Sequence, residues 1–142
     1  MKLLERPAPL GVRPRLNEVR GTEPGYQAYS LLYLGYIVLP LIAGLDKFAH
    51  FLVDWDKYLS PLASALIGGR ITGFMNMVGL VEIAAGVLVA VKPRLGSIVV
   101  AFWLLGITAN LLMMPGYRDI ALRDFGLALG AFSLWRLSRQ YR

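Results

Sequence analysis

The sequence contains no cysteine and a single histidine, His50. Without a thiolate the chain lacks ligands for an iron-sulfur cluster, a c-type haem or a cysteine-based zinc site, and one imidazole does not supply a bis-histidine haem. A thiol relay of the disulfide-generating kind is excluded for the same reason. We therefore expect no metal site and no covalently bound cofactor within this chain.

Charge is also scarce, because 17% of the residues are charged and 56% are hydrophobic. The mean hydropathy of +0.55 is above that of an ordinary globular domain. Three long runs hold at most one charged residue each, at residues 24–45, 71–91 and 95–117. Each run has about the 20 residues that a membrane-spanning helix needs. A fourth run, residues 120–137, can span a membrane only if Arg123 and Asp124 lie below the membrane surface.

These runs predict an all-α integral membrane four-helix bundle with spans at about residues 28–49, 71–91, 95–114 and 118–137. A basic, proline-rich cytoplasmic tail at 1–25 precedes this transmembrane domain at 26–142, and no length remains for a soluble domain. In the first non-cytoplasmic loop, Ser60-Pro61 is typical of a helix N-cap followed by proline at the first helical position. We expect a short interfacial helix there, anchored at the membrane surface by Trp55 and Tyr58.

Basic residues predict the orientation, since cytoplasmic segments are enriched in lysine and arginine. The tail, the second loop and the carboxyl end form one side, and the loops at 46–70 and 114–124 form the other. The first side holds Lys2, Arg6, Arg13, Arg15, Arg20, Lys92, Arg94, Arg136, Arg139 and Arg142. Both termini should therefore be cytoplasmic. Contact with anionic membrane lipids accounts for the net charge of +6, so no nucleic-acid partner is expected.

Glu82 is the one carboxylate inside the run 71–91, in the stretch GLVEIAAG. If the helix starts at Ile71, Glu82 lies about 16 Å along a helix of about 31 Å, near the bilayer centre. Gly79 and Gly86 share its face of the helix, so another backbone is expected to approach there. Glu82 is then either a protonated group hydrogen-bonded to a neighbouring helix or a group that exchanges protons or binds a polar head such as a quinone carbonyl.

A second polar set comes from all four spans, and counting inward places it within about two turns of the non-cytoplasmic surface. Its members are Asp46, Lys47, Asn76, Asn110, Arg123 and Asp124. Neighbours on a helix face about 100° apart, so we expect Arg123 to pair with Asp46, and Asp124 with Lys47. The set is either an interhelical polar lock or, together with Glu82, a ligand site.

Small residues in the fourth span, Gly126 and Gly130, predict a close helix contact. The remaining apolar surface, which includes Trp103, is expected to face lipid or a larger membrane partner.

Three segments resemble the DoxX-like family of small four-helix bacterial and archaeal membrane proteins: GYIVLPLIAGLDKFAHF, GLVEIAAGVLVAVKPRLG and DIALRDFGLALGAFSLWRL. The resemblance covers residues 29–137 and includes Lys47-Phe48, Glu82 and Arg123-Asp124. It implies association with membrane oxidoreductase systems, because relatives are named as small subunits of quinol oxidase or thiosulfate:quinone oxidoreductase complexes. Thiol chemistry, discussed for some relatives, does not fit a chain without cysteine.

Two hypotheses follow from these features. The first is an accessory or assembly subunit of a larger membrane complex linked to electron transfer, with other membrane subunits as partners. The second is a quinone-binding oxidoreductase subunit in which Glu82 and Arg123 hold or protonate the ring, with quinone as a non-covalent cofactor. A solute carrier is disfavoured because four short spans offer few charges along a continuous path.

Overall fold

The computed structural model describes residues 23–141. Most of the basic tail predicted for residues 1–25 therefore lies outside the described residues. Over the described range the chain is helical, without a β-strand, as the sequence predicted. The elements are α1 (Pro24–Ala49), a 3-10 turn (Trp55–Tyr58), α2 (Pro61–Leu66), α3 (Ile71–Val91), α4 (Pro93–Leu112) and α5 (Arg118–Tyr141).

Prolines and short capping side chains define the helix ends. The Ser60 hydroxyl accepts a hydrogen bond from the Ala63 backbone N–H at 3.2 Å, and Pro61 follows it, so the predicted start of α2 is confirmed. Pro93 opens α4 directly after Lys92, which makes the turn between α3 and α4 very short. After α4 the chain reverses through Gly116, whose φ of 97° lies in the region that glycine tolerates best.

Three helices are long and apolar enough to cross a membrane: α1, α3 and α4. Their bounds match the first three predicted spans to within four residues at each end. Helix α5 covers the predicted fourth span. Among the helices of residues 23–141 it is less hydrophobic than α1, α3 and α4, because charged residues occupy both its first turns and its last turns.

The four long helices form a ring in which α1 packs along α3 and α4 packs along α5. Contacts between α3 and α4 and between α1 and α5 close the ring. The larger core cluster draws on all four helices and consists of Tyr29, Tyr36, Ala85, Val89, Val100, Ala101, Ala131 and Leu134. A smaller cluster at the other end contains Leu111, Met114 and Ala121. This arrangement leaves polar groups of α1, α3 and α5 facing one interior.

Glycines bring α1 and α3 unusually close together. A Cβ added at Gly79 would lie 2.8 Å from the Gly44 carbonyl oxygen, and one at Gly86 would lie 3.0 Å from the Ile37 carbonyl oxygen. The order of these contacts shows that α1 and α3 run antiparallel. In α5 the prediction is only partly right, because Gly130 lies under the Tyr36 hydroxyl whereas Gly126 has open space beside it.

Tyrosines join the start of α1 to the end of α5. The Tyr141 ring contacts the rings of Tyr26 and Tyr29, with centroids 5.7 and 5.8 Å away. Its hydroxyl donates a hydrogen bond to Glu23 Oε1 at 2.7 Å, and this bond raises the pKa of Tyr141 above its ordinary value. The α1–α5 contact is thus fixed at the end of the bundle that lies farthest from the 3-10 turn.

Candidate functional site

An ion pair between Lys47 of α1 and Glu82 of α3 lies at the centre of the candidate site. Lys47 Nζ is 2.6 Å from Glu82 Oε2, and the two residues are only 4% and 8% exposed. A charge-assisted hydrogen bond of this length is strong in an apolar interior. Glu82 therefore points into the bundle, as its position beside Gly79 and Gly86 predicted.

The glycine contact explains why these two side chains meet. Gly44 precedes Lys47 by one turn, and Gly79 precedes Glu82 by one turn, so each charged residue lies next to the point where the backbones touch. Helix side chains lean toward the amino terminus of their own helix. Because α1 and α3 are antiparallel, Lys47 and Glu82 lean toward each other. The pair is a product of close packing and helix direction.

Trp55 covers the ion pair from the 3-10 turn. Lys47 Nζ lies 3.8 Å from the centroid of the Trp55 ring, within cation–π range. The indole Nε1–H donates to Asp46 Oδ2 at 2.7 Å, and Asp46 Oδ1 accepts the backbone N–H groups of Phe51 and Leu52 at 2.9 and 3.0 Å. Trp55 was predicted to anchor at the membrane surface. The structure adds that its half-buried ring also contacts Asp46 and Lys47, which offer it an acceptor and a cation.

Three further polar groups lie around Glu82 or on its helix. The Trp103 indole N–H is buried near the Glu82 carboxylate and makes no hydrogen bond with any described residue. Asp124 is buried and close enough to repel Glu82 electrostatically. On α3 the Asn76 side-chain oxygen is also buried without a partner in the described part of the chain. One donor and one acceptor thus have their hydrogen-bonding capacity unused.

The predicted pairs of Arg123 with Asp46 and of Asp124 with Lys47 are wrong. Lys47 pairs with Glu82, and Asp46 accepts hydrogen bonds from backbone N–H groups of the loop after α1. Arg123 instead bonds to its neighbour Asp124, from Nε and Nη2 to Oδ1 at 3.1 Å each. The Arg123 side chain is 64% exposed, so it lies outside the bundle and does not reach Glu82.

Asn110 has a different role from the other polar residues of the predicted set. Its Oδ1 accepts the Ser60 backbone N–H at 3.0 Å, and its Nδ2 donates to the Tyr58 carbonyl at 2.7 Å. These bonds tie the end of α4 to the segment before α2. Asn110 therefore belongs to the loop anchorage and not to the group around Glu82.

An apolar groove runs between α3 and α4 beside Glu82. Its volume is about 500 Å³, and it is lined by Val81, Ala85, Ile98, Val99, Phe102 and Trp103. Because Trp103 lines the groove and its N–H lies near Glu82, the groove lies beside the ion pair. Sequence reasoning assigned Trp103 to the lipid-facing surface. A tryptophan in the middle of a predicted span indicates a different position, because a buried indole N–H needs an acceptor.

No protein-family model matches the chain, and searches of curated proteins and of solved structures found no match.

Proposed function

We propose that the protein is an accessory or assembly subunit of a larger membrane complex, linked to electron transfer, in a bacterial or archaeal cytoplasmic membrane. The observation that carries this proposal is the state of the buried charges. Lys47 and Glu82 satisfy each other, and Asp46 is satisfied by the loop and Trp55. Polar groups that bind one another across helices fix the arrangement of a bundle. The resemblance to the DoxX-like family supports the link to electron transfer.

Helix α5 serves as the fourth span in this proposal. Its face toward the bundle carries Ala121, Ala128, Ala131 and Leu134, none of which is exposed. Arg123 and Arg136, near the two ends, are about 20 Å apart along the helix, and their side chains are long enough to extend toward the two membrane surfaces. With both termini cytoplasmic, the basic ends of the chain face anionic lipid.

The outer face of α1 is the surface that we assign to a neighbouring subunit. In the most apolar 18-residue stretch of each helix, 17% of α1 is buried against the rest of the protein, compared with 39% of α3 and 33% of α4. The exposed face repeats every three or four residues, at Leu31, Leu34, Val38, Ile42 and Leu45. This spacing is that of a helix seam that packs against another helix. The face is therefore suited to a partner helix within the membrane.

Native mass spectrometry of the protein from its own membranes, in mild detergent, tests the subunit assignment. Companion subunits at a fixed stoichiometry are expected, together with their loss in a Leu34→Trp/Val38→Trp variant. Leu129→Trp, on an exposed part of α5, is the matched control and should keep the companions. A stable monomer or homo-oligomer without companions contradicts the proposal.

A second candidate, a quinone-binding oxidoreductase subunit, is favoured by the groove beside Trp103. A quinone carbonyl would accept the unused Trp103 N–H, and an apolar tail would lie along Val99 and Phe102. Arg123 is too exposed for the role first assigned to it, so Lys47 and Glu82 would supply the charged groups. When bound, a quinone supplies two-electron, two-proton redox chemistry, and the protein positions its ring.

Quinone analysis of the purified protein tests this candidate. Trp103→Phe keeps the ring but removes the N–H, so it should release a co-purifying quinone, whereas the control Trp135→Phe should not. Glu82→Gln should stop proton exchange with the ring. Because it also leaves Lys47 buried without its anion, the folding and assembly of this variant are measured first. If Glu82→Gln leaves electron transfer by the parent complex unchanged, the quinone role is wrong.

A further inference from the structure

Three metal-ligating side chains converge in the loop that follows α1. They are His50, Asp54 and Asp56, and one ligand atom from each lies within 4.8 Å of the others. The cluster includes neither Lys47 nor Glu82, and the subunit and quinone roles proposed above do not require it. Its residues are spaced H-x-x-x-D-x-D, a spacing that by itself indicates no metal site. The 3-10 turn brings the three side chains together.

Asp56 carries an oxygen that the protein leaves unsatisfied. Its Oδ2 accepts a hydrogen bond from the Thr72 hydroxyl at 2.6 Å, whereas its Oδ1 is buried and has no partner among the described residues. Neither Asp54 nor Asp56 forms an ion pair within residues 23–141. A buried anionic oxygen without a donor is unfavourable, and a cation bound beside it removes that cost.

The backbone at His50 fixes where the imidazole begins relative to the two aspartates. His50 ends α1 with φ 52° and ψ 36°, the left-handed conformation for which glycine is the usual residue at a helix end. It is the only described residue other than glycine with positive φ. An imidazole is thus held next to two carboxylates at a position where glycine would fit with less strain.

The sequence predicted no metal site, because it lacks cysteine and has one histidine, but the loop brings two aspartates beside that histidine. We propose that His50, Asp54 and Asp56 bind a divalent transition-metal cation on the side of the membrane that holds the first loop. Imidazole nitrogen with two carboxylate oxygens suits Zn²⁺ or Mn²⁺, and neutral histidine with two aspartates balances the charge of such an ion. A zinc ion lies about 2.0–2.2 Å from each of its donor atoms. His50 and Asp54 are exposed, so their side chains are free to rotate toward an ion held at Asp56.

Bound metal would also act on the candidate site, because Trp55 lies between two of the ligands in the chain. Fixing His50, Asp54 and Asp56 around one ion holds the segment that places the Trp55 ring over Lys47 and its N–H on Asp46. Water completes the coordination on the open side. The site is therefore a clamp on the loop that covers the ion pair.

The test uses the full chain, purified with a tag that contains no histidine and titrated with Zn²⁺ and with Mn²⁺ by calorimetry. One ion per chain is expected, and Zn²⁺ X-ray absorption should show one imidazole, which must be His50 because the chain has no other histidine. Asp54→Asn should weaken binding at least about tenfold. Asp119→Asn, at an exposed aspartate at the start of α5, is the matched control and should leave binding unchanged.

His50→Gly separates metal binding from folding. Glycine suits the left-handed conformation, so this variant should fold at least as well as the parent while losing the imidazole signal and the tight binding. Binding that persists in His50→Gly or in Asp54→Asn overturns the proposal, as does an absence of saturable binding by the parent chain. Failure here leaves the subunit and quinone proposals intact, since neither uses these residues.

Discussion

The two helix pairs of the bundle are held together in different ways. Between α1 and α3 the backbones meet at Gly44 and Gly79, and the buried Lys47–Glu82 pair lies beside that contact. The pair α4 and α5 has the more extensive contact, built from apolar residues such as Ala101, which is fully buried. Within the described residues, no ion pair joins α4 to α5.

The difference shows what a charge pair adds to helix packing. Apolar residues, several of them small, bring α4 and α5 into close contact without an ion pair, as is usual in an apolar solvent. The ion pair therefore is not required to hold two helices together. Its role is to fix the register of α1 against α3, because only one sliding position places Lys47 opposite Glu82.

The largest expected effect comes from breaking the ion pair on one side. Lys47→Met leaves Glu82 buried without its cation and should lower the free energy of unfolding by about 3 to 5 kcal/mol. The measurement is unfolding in mixed micelles with increasing SDS, followed by circular dichroism.

The double variant Lys47→Met/Glu82→Met is the control for that result. It removes both charges and should regain most of the lost stability, because apolar residues of similar volume replace a buried ion pair at little cost. A double variant as unstable as Lys47→Met would show that the pair itself supplies the stability of this contact.

A cavity in the other helix pair should have the next largest effect. Leu134→Ala removes a fully buried side chain from the core shared by α4 and α5 and should cost about 2 to 5 kcal/mol. The same unfolding assay measures the loss. Little change in stability would mean that α4 and α5 are not held together by their apolar core, which would contradict the difference drawn between the two helix pairs.

A smaller loss is expected where the backbones touch. Gly79→Ala adds a Cβ 2.8 Å from the Gly44 carbonyl oxygen, so α1 and α3 must move apart, at a cost of about 1 to 3 kcal/mol. Gly126→Ala is the matched control, since nothing lies within 4 Å of the added atom. The control should be neutral or slightly stabilising, because alanine favours a helix more than glycine does. Equal effects of the two variants would contradict the close contact.

The smallest effect is expected for the exposed pair of Arg123 with Asp124. Arg123→Gln should change the free energy of unfolding by less than about 1 kcal/mol, since the side chain is 64% exposed and an exposed ion pair contributes little. Unfolding at low and high salt checks this. A loss comparable to that of Lys47→Met would show that Arg123 acts inside the bundle.

The helices could be predicted well from the sequence, and the pairing of their side chains could not. Apolar runs, Ser60-Pro61 and the prolines mark helix positions through local chemistry. The partner of Lys47 depends on how closely α1 and α3 approach and in which direction each side chain leans. The contacts of Trp55 depend likewise on an acceptor, Asp46, and a cation, Lys47, which residue type alone does not reveal.

The sequence by itself determined that this chain is helical, apolar enough for three membrane spans, and free of thiol chemistry, since these properties depend on composition and on neighbours along the chain. Only the tertiary structure decided that Glu82 pairs with Lys47, that Arg123 stays outside, and that His50 meets Asp54 and Asp56. The physical reason is that charges and ligands act over a few ångströms, and those distances are set by helix packing and loop geometry.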